Sequence, residues 1–184
     1  MTLSLGGLSF YSARKGFVCD SVRNFEIVLA GGQIVNANAK ENPDLWIALR
    51  GGSNNFGVVT RFDIETFEQG DFWGGSIRFN ISLAPKLLEE FHRFDASVNY
   101  DDYASLIQVF AFARGGYFPL TTMDYTKPVS NPPVFQPFTA LEPQYTNSMR
   151  ISNLSDFTSE AAKLSPNGRR FVIHPSHLLA AFGT

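Results

Sequence analysis

Two stretches of alternating apolar and polar residues constrain the fold of this chain more than any other feature. In residues 58–66 the polar positions are Arg61, Asp63 and Glu65, and residues 76–83 repeat the alternation with Ser76 and Arg78 on the polar side. The inward set of the first stretch is Val58, Thr60, Phe62, Ile64 and Thr66. Successive side chains of a strand point to opposite faces, so each stretch predicts a β-strand with one buried face.

A short hairpin is predicted ahead of the first alternating stretch. Residues 25–29 and 33–37 are apolar and rich in β-branched side chains, and Gly31 and Gly32 lie between them. Both central residues of a type I′ turn need a positive φ, which glycine adopts without strain. The sequence therefore predicts two antiparallel strands joined at this glycine pair.

A two-turn helix is predicted between this hairpin and the first alternating stretch. Asn42 is a candidate N-cap, with Pro43 at the first helical position. Leu45, Ala48 and Leu49 share one face of such a helix. The glycines at 51 and 52 follow, and either can take the left-handed position that ends a helix.

The second half of the chain predicts a larger sheet covered by helices. Pro85 opens a helical apolar stripe, and residues 106–113 are apolar on both faces, which predicts a strand inside a sheet and covered on both sides. Residues 117–125 predict its hairpin partner, with Pro119 at an edge or a bulge. Residues 132–143 predict irregular structure, 153–164 a helix capped by Asn153 or Ser155, and 169–174 a last strand. This order of elements predicts an α+β fold with largely antiparallel sheets.

Composition excludes several classes of protein. Of the 184 residues 44% are hydrophobic and 17% are charged, which is enough apolar material for a packed core. The net charge is −2 without a dense run of Lys or Arg, so a nucleic-acid binder is not expected. No apolar run reaches the roughly 20 residues of a membrane helix. The first residues lack the basic region of a signal peptide, and the cellular location stays open.

Two glycine-rich loops are the main candidates for a binding site. One is LGGLSFYSARKG, beginning at Leu5, and the other is RGGSNNFG, beginning at Arg50. Loops with small side chains can bring backbone amides close to a phosphate-bearing cofactor, although taken alone such loops are more often ordinary turns. Neither loop matches the dinucleotide-binding or P-loop glycine pattern, so those two classes are not indicated.

Other reactive side chains give weaker signals. The single cysteine, Cys19, excludes a disulfide framework and is expected to be a buried apolar residue. His174 and His177 lack carboxylate or cysteine neighbours, so no metal site is predicted, and His92 is expected in solvent. The nucleophile motif of common hydrolases is absent. Six tyrosines could supply a catalytic base, and spacing alone selects none of them, so the catalytic residue stays unassigned.

Three segments taken together resemble a known family. LGGLSFYSARKGFVCDSV, FEIVLAGGQIVNANAKENPDLWIALRGG and NNFGVVTRFDIETF occur in this order and spacing. They are similar to the FAD-linked oxidoreductases with a PCMH-type FAD-binding domain, in the berberine-bridge-enzyme-like group and especially its fungal members. The resemblance is close over residues 5–67 and looser up to about residue 171.

The resemblance implies a fold, a cofactor and a chemistry. Residues 1–68 would be the C-terminal lobe of the FAD-binding domain, without its N-terminal lobe, and residues 69–184 part of an antiparallel sheet-plus-helices substrate domain. The flavin would oxidise a small organic substrate and be reoxidised by oxygen. The residues implied in FAD contacts are Gly6, Gly7, Leu8, Ser9, Phe10, Phe56, Gly57, Val58 and Val59.

The sequence also departs from the family pattern. The phosphate-binding loop and the flavin-linked histidine of a preceding lobe are missing from the sequence, and Cys19 lies downstream of the position where a flavin-linked cysteine would stand. A truncated FAD-dependent oxidase and a non-catalytic remnant that no longer binds FAD therefore both remain open. The substrate, the oligomeric state and the flavin linkage are not specified by the residues.

Overall fold

A computed structural model describes residues 6–113 and 115–163. The first part of the chain holds two short helices, a 3-10 turn and a three-stranded sheet. Its elements are α1 (Ser12–Lys15), the 3-10 helix Val18–Ser21, β1 (Val22–Val28), β2 (Ile34–Asn38), α2 (Pro43–Leu49) and β3 (Val58–Ile64). The sheet is antiparallel in the order β2-β1-β3. We call this part the first lobe.

The remainder builds a five-stranded antiparallel sheet with helices, which we call the large sheet. Its strands are β4 (Phe72–Phe79), β5 (Ala104–Ala113), β6 (Gly116–Tyr125), β7 (Gln144–Asn147) and β8 (Arg150–Ser152). They run in the order β5-β6-β4-β7, and β8 also pairs with β4. The helices are α3 (Ala84–Asp95), α4 (Gln136–Thr139), α5 (Leu154–Lys163) and the 3-10 turns Ile81–Leu83 and Pro133–Phe135. The predicted α+β fold with antiparallel sheets is confirmed.

The first lobe has its own core beneath α2. Val22, Phe25 and Ile27 of β1 are fully buried with Ala37 and Leu49. The Trp46 indole donates a hydrogen bond to the Val22 carbonyl at 3.0 Å, which fastens α2 to β1. Seven residues are too few for a helix to stand alone, so α2 depends on this packing.

The hairpin between β1 and β2 has a different turn from the one predicted. Only Gly32 has a positive φ, at 79°, and its amide bonds to the Leu29 carbonyl at 2.9 Å. The Leu29 amide in turn bonds to the Gln33 carbonyl. The predicted pair of positive-φ glycines is therefore wrong, because a single left-handed glycine closes this longer loop.

Asn42, the residue before α2, does not cap the helix as predicted. Asn42 lies in the left-handed region at φ 49°, and its side chain makes no cap to the helix. Its amide group instead donates to the Asn36 carbonyl at 2.8 Å on β2. Pro43 does begin the helix, and Gly51 has the positive φ, 87°, expected just beyond its end.

Strand β3 breaks the alternation that its sequence suggests. Its pairing with β1 shifts between Glu26 and Ile27, which face Arg61 and Val59, so Thr60 is an extra residue. Because of this bulge, Val59 and Phe62 pack on the core, while Val58 is 68% exposed. The predicted single inward set is wrong for Val58, Thr60, Ile64 and Thr66, which are all exposed.

The main core lies between the large sheet and helices α3 and α4. Trp73, Ile77 and Phe79 point from β4 into this layer, against Leu87 of α3 and the fully buried Phe135. The alternation predicted for residues 76–83 is therefore correct as far as Phe79. It is wrong for Ile81, which is exposed in the 3-10 turn where the strand has ended.

Strand β5 is an edge strand, contrary to the expectation for residues 106–113. It pairs along its length with β6 as the predicted hairpin, and β6 is its only partner in the described residues. Ile107 and Phe112 are more than half exposed, so neither face of this strand is fully covered. Pro119 on β6 lies beyond the last β6 residue that pairs with β4, Leu120, which suits its missing amide hydrogen.

The last described helix follows its prediction. The Asn153 side chain accepts a hydrogen bond from the Asp156 amide at 3.0 Å, so Asn153 rather than Ser155 caps α5. Residues 132–143 contain two short helical turns within otherwise irregular chain. The predicted strand at 169–174 lies outside the described residues. Within the described residues, no helix has the length and apolar character needed to span a membrane.

Candidate functional site

The first glycine loop turns its carbonyls toward the following 3-10 helix and, within the described residues, leaves several amides unused. Gly6 and Gly7 have φ of 99° and 83°, and their carbonyls accept hydrogen bonds from Cys19 and Val18, each at 2.8 Å. No hydrogen bond within the described residues uses the amides of Gly7, Leu8 or Phe10. Consecutive free amides next to left-handed glycines are the donor set that suits a phosphate or another anion.

The same loop is attached to the large sheet. The Phe10 ring packs on Phe72 at the start of β4, with ring centroids 6.1 Å apart. Arg14 of α1 donates to the Thr126 hydroxyl at 2.8 Å, and its guanidinium carbon lies 4.4 Å from the centroid of the Tyr103 ring. A ligand held by this loop would therefore lie next to the β4 end of the large sheet.

The second glycine loop owes its small residues to local packing. A Cβ on Gly57 would lie 2.3 Å from the Val28 carbonyl oxygen, and one on Gly52 would lie 2.0 Å from the Ala48 carbonyl oxygen. Both distances are far below van der Waals contact, so a side chain is excluded at either position. The turn interpretation accounts for these two glycines without any ligand.

The predicted contact residues beyond Gly57 divide between core and surface. Val59 packs on the core of the first lobe, whereas Val58 is exposed and Phe56 is 39% exposed. Leu8, in the first loop, is also 69% exposed. These exposed apolar side chains can contact the flat rings of a large ligand or an adjoining polypeptide.

The two loops lie at opposite ends of β1. The first is hydrogen-bonded to the 3-10 helix that leads into Val22, and Gly57 lies against Val28 at the other end. Six residue steps at about 3.3 Å separate these ends by roughly 20 Å. The structure therefore does not bring the two predicted sets into direct contact, and only an elongated ligand could contact both.

Burial and hydrogen bonding set the reactivity expected of Cys19 and of two of the tyrosines. Cys19 is buried, and this burial raises the pKa of its thiol, so it is an inert apolar residue as predicted. Burial also raises the pKa of Tyr11, whose hydroxyl has no hydrogen-bond partner in the described residues. Tyr125 donates to Asp101 at 2.9 Å, and burial, followed by this bond, raises its pKa to about 12.

A buried carboxyl group on β6 affects the Tyr11 phenol through its charge and was not singled out from the sequence. Asp124 on β6 is 3% exposed, and burial, followed by the charge of Glu160, raises its pKa to about 7. The Asp124 charge in turn raises the pKa of the Tyr11 phenol. Aspartate is disfavoured in strands, so an Asp within the apolar pattern TTMDY is the signal that could have indicated it.

A further concavity, away from these loops, is lined by uncharged and mainly polar residues. It has a volume of about 520 Å³ and lies near the end of α4, with Asn131, Gln136, Thr139 and Asn147 among its lining residues. Within the described residues, no group of three or more His, Cys, Asp or Glu side chains could hold a metal ion. His174 and His177 lie outside that part of the chain, and His92 is exposed as expected.

Sequence comparison identifies fungal flavoenzymes as relatives. The chain is 43% identical over 166 residues to the FAD-dependent monooxygenase CTB5 of Cercospora beticola, covering 85% of the chain and 32% of that protein. It is 42% identical over 177 residues to the FAD-dependent monooxygenase elcE of Phaeosphaeria nodorum, covering 90% of the chain and 53% of that protein. The chain thus spans between a third and a half of these relatives. No family model matches it.

Solved structures show the same fold. The 6-hydroxy-D-nicotine oxidase of Arthrobacter nicotinovorans matches 88% of the chain with a TM-score of 0.70 at 19% identity, over 37% of its own length. BBE-like 1 of Physcomitrella patens matches 81% of the chain with a TM-score of 0.64 at 25% identity, over 32% of its own length. The fold is therefore that of part of an FAD-linked, berberine-bridge-like oxidoreductase.

The chain is homologous to part of the FAD-linked oxidoreductases of the berberine-bridge-enzyme-like group. Within that class, the relatives described above are fungal FAD-dependent monooxygenases. The resemblance inferred from the three sequence segments is confirmed.

Proposed function

We propose that this chain is part of an FAD-dependent oxidoreductase and contributes one side of its FAD site. The observation that supports the proposal most is the 43% identity to a fungal FAD-dependent monooxygenase over 85% of the chain. Similarity of this extent spans most of the chain. A binding protein without redox chemistry has no comparable support.

The geometry of the first loop fits such a cofactor. The unused amides of Gly7, Leu8 and Phe10 can donate to a pyrophosphate or to polar atoms of the flavin ring, with Ser9 beside them. In our proposal, the segment of Phe56, Gly57, Val58 and Val59 contacts the other end of the extended dinucleotide. The separation of roughly 20 Å between the loops, six strand residues apart, suits an elongated molecule.

The proposed chemistry divides between cofactor and protein. When bound, FAD accepts a hydride equivalent from a small organic substrate, and oxygen reoxidises the reduced flavin. The loop containing Gly6 and Gly7 orients the cofactor. The contacts of Phe10 with Phe72 and of Arg14 with Thr126 hold this loop beside the large sheet, which supplies the substrate side of the site.

The same proposal divides the chain into two parts. Residues 1–68 form the C-terminal lobe of the FAD-binding domain, and residues 69–184 form part of the substrate domain. The division is supported by two separate hydrophobic cores, one around Phe25 and one around Phe79. Each core is built from residues of its own sheet and helices.

Titration of the purified chain with FAD tests the cofactor proposal. Binding should perturb the flavin absorbance between roughly 350 and 500 nm and quench its fluorescence, since a bound ring leaves water. A Gly7→Val variant should weaken binding, because its side chain would be forced into a left-handed conformation beside the free amides. Gly31→Ala, in an open turn, is the matched control.

The result that would overturn the proposal is equally specific. If the wild-type chain and the complete protein that contains it both remain without FAD at saturating concentration, this chain does not contribute to a flavin site. Binding by the complete protein that Gly7→Val leaves unchanged would contradict the placement of the first loop.

A further inference from the structure

Arg78 is the one arginine of the described residues that donates no hydrogen bond to an oxygen atom there. Six others donate hydrogen bonds to oxygen atoms: Arg14, Arg23, Arg50, Arg61, Arg93 and Arg150. Arg78 makes neither a hydrogen bond nor an ion pair there, and its Nε, like those of Arg14 and Arg50, is buried without a partner. Residues 1–5, 114 and 164–184 contain no Asp or Glu, so they offer no side-chain carboxylate to pair with it.

Aromatic rings hold the Arg78 guanidinium in place. Its central carbon lies 3.9 Å from the centroid of the Phe118 ring and 5.7 Å from that of the Tyr145 ring. The Tyr145 hydroxyl is itself fixed by a hydrogen bond from the Asn80 amide group. A guanidinium stacked in this way keeps its planar fork of donors pre-organised for an oxyanion.

The position of Arg78 in the sheet links it to the first lobe. Alternation along β4 places Arg78 on the same face as Phe72, which carries the Phe10 contact, and opposite to the buried Ile77 and Phe79. We call this the Arg78 face. It is the face of the large sheet that adjoins the first glycine loop, about six residues along the strand from Arg78.

Apolar side chains on the neighbouring strands complete the surface. Leu120 of β6 pairs directly with Arg78, and Val109 of β5 pairs with Leu120, so the three side chains lie side by side on one face. Val109 and Ile107, two residues away on the same face, are substantially exposed. Around Arg78 this face combines apolar side chains with a cation that has no carboxylate partner in the described residues, and Thr122 and Asp124 of β6 lie further along it toward Phe72.

We propose that Arg78 binds the carboxylate or ionised phenol of an aromatic organic molecule lying on the apolar side chains beside it. The guanidinium donors engage the anionic oxygen, and Leu120 and Val109 contact the ring. The molecule is the substrate only if the proposed flavin function holds, whereas the anion site itself does not depend on FAD. The distance along β4 from the Phe10 contact favours an organic anion over the cofactor's own phosphates.

The test uses two probes of the same shape and different charge. The purified chain without FAD is titrated with 1-naphthoate and with the neutral 1-naphthamide, and binding is followed by protein NMR shifts. Naphthoate should bind at least about tenfold more tightly, the ratio that one charge-assisted hydrogen bond provides. Shifts should be centred on Arg78, Leu120 and Val109.

Variants assign the effect to the residue. Arg78→Gln should remove the preference for naphthoate, and Arg93→Gln, which removes an exposed ion-paired arginine on α3, should leave it unchanged. If Arg78→Gln does not fold, Arg78→Lys retains the charge without the planar fork and should weaken naphthoate binding alone. Equal affinities of the wild type for the two probes would overturn the proposal, as would an unaltered preference in a folded Arg78→Gln protein.

The outcomes separate this proposal from the flavin proposal. Arg78→Gln should leave FAD affinity unchanged, because Arg78 lies away from both glycine loops. A loss of FAD binding in that variant would show that the guanidinium serves the cofactor, which contradicts an organic-anion site. Naphthoate binding by a chain that does not bind FAD would leave the anion site standing and the flavin proposal unsupported.

Discussion

Asp124 lies directly opposite Gly74 in the ladder between β4 and β6, and its carboxylate oxygen occupies the space that a side chain at 74 would need. A Cβ on Gly74 would be 2.6 Å from Asp124 Oδ1. The missing side chain therefore makes room for a buried carboxyl group where the first lobe meets the large sheet. Burial disfavours the charged form of the Asp124 carboxyl, so the stability of this junction should depend on pH.

The first prediction concerns Asp124→Asn and the pH dependence of stability. The folded-state pKa is raised from 3.8 to about 7, so the wild type is stabilised fully below the unfolded value and loses that contribution as pH rises to about 7. Asparagine cannot ionise, so the variant should be more stable than the wild type above pH 7. The rise in pKa corresponds to a change of the order of 4 kcal/mol in this difference between low and high pH. Urea unfolding from pH 4 to 8 measures this difference.

Glu160→Gln provides the control for the first prediction. Burial is the main cause of the raised Asp124 pKa and the Glu160 charge is the second, so removing that charge should lower the pKa without restoring its usual value. NMR of the Asp124 carboxyl carbon reports the titration directly. A wild-type and Asp124→Asn pair whose stability difference is independent of pH would contradict this account of the junction.

The second prediction concerns Gly57→Ala. At φ 146° with the Val28 carbonyl in the path of a side chain, alanine combines backbone strain with a steric clash. We expect a loss of about 2–4 kcal/mol in the free energy of unfolding, from strain and overpacking together. Gly31→Ala has open space and an ordinary φ, so it should be neutral or stabilising by up to about 1 kcal/mol. If both substitutions change the free energy of unfolding equally in denaturant melts, the contact of Gly57 with the Val28 carbonyl is not as tight as described.

The third prediction concerns Arg14→Met, which keeps an apolar stem and removes the charged contacts between the first lobe and the large sheet. Its hydrogen bond to Thr126 and its stacking on Tyr103 should together contribute about 2 kcal/mol. Arg23→Met is the matched control, because its pair with Glu65 is largely exposed and should contribute less than about 1 kcal/mol. A double-mutant cycle with Thr126→Val isolates the hydrogen bond, and a coupling energy near zero would contradict the assigned role.

The sequence predicted the helices and strands of this fold more accurately than the way they pair and pack. The helix at Pro43, the hairpin around Gly32 and the strand beginning at Val58 all follow from local pattern and turn chemistry. Their details depended on tertiary contacts. The Thr60 bulge is set by the register between β3 and β1, and no alternation of residue types reveals an extra residue in one strand.

The largest error, at β5, has the same origin. Apolar residues on both faces predict a covered strand only when other chain segments cover it, and Ile107 and Phe112 are exposed in the part of the chain that the structure describes. Arg78 and Asp124 illustrate a second limit. Arg78 looks like an ordinary polar residue in a strand, and Asp124 stands out only as an aspartate in an apolar pattern. The unusual environment of each involves a side chain more than 35 positions away in sequence, Phe118 for Arg78 and Glu160 for Asp124.

The last prediction concerns the reactivity of Cys19, which discriminates a buried apolar residue from a functional thiol. The side chain is 4% exposed, and burial, with the nearby Asp20 charge, raises the thiol pKa and lowers the thiolate fraction at neutral pH. A disulfide reagent such as dithionitrobenzoate should therefore label the native protein at pH 8 at least roughly 100-fold more slowly than the urea-unfolded protein, since labelling requires local opening. Cys19→Ala should abolish labelling in both states and leave FAD titration unchanged. Rapid stoichiometric labelling of the native chain would contradict the buried role and place an accessible thiolate beside the carbonyl of Gly6 in the first glycine loop.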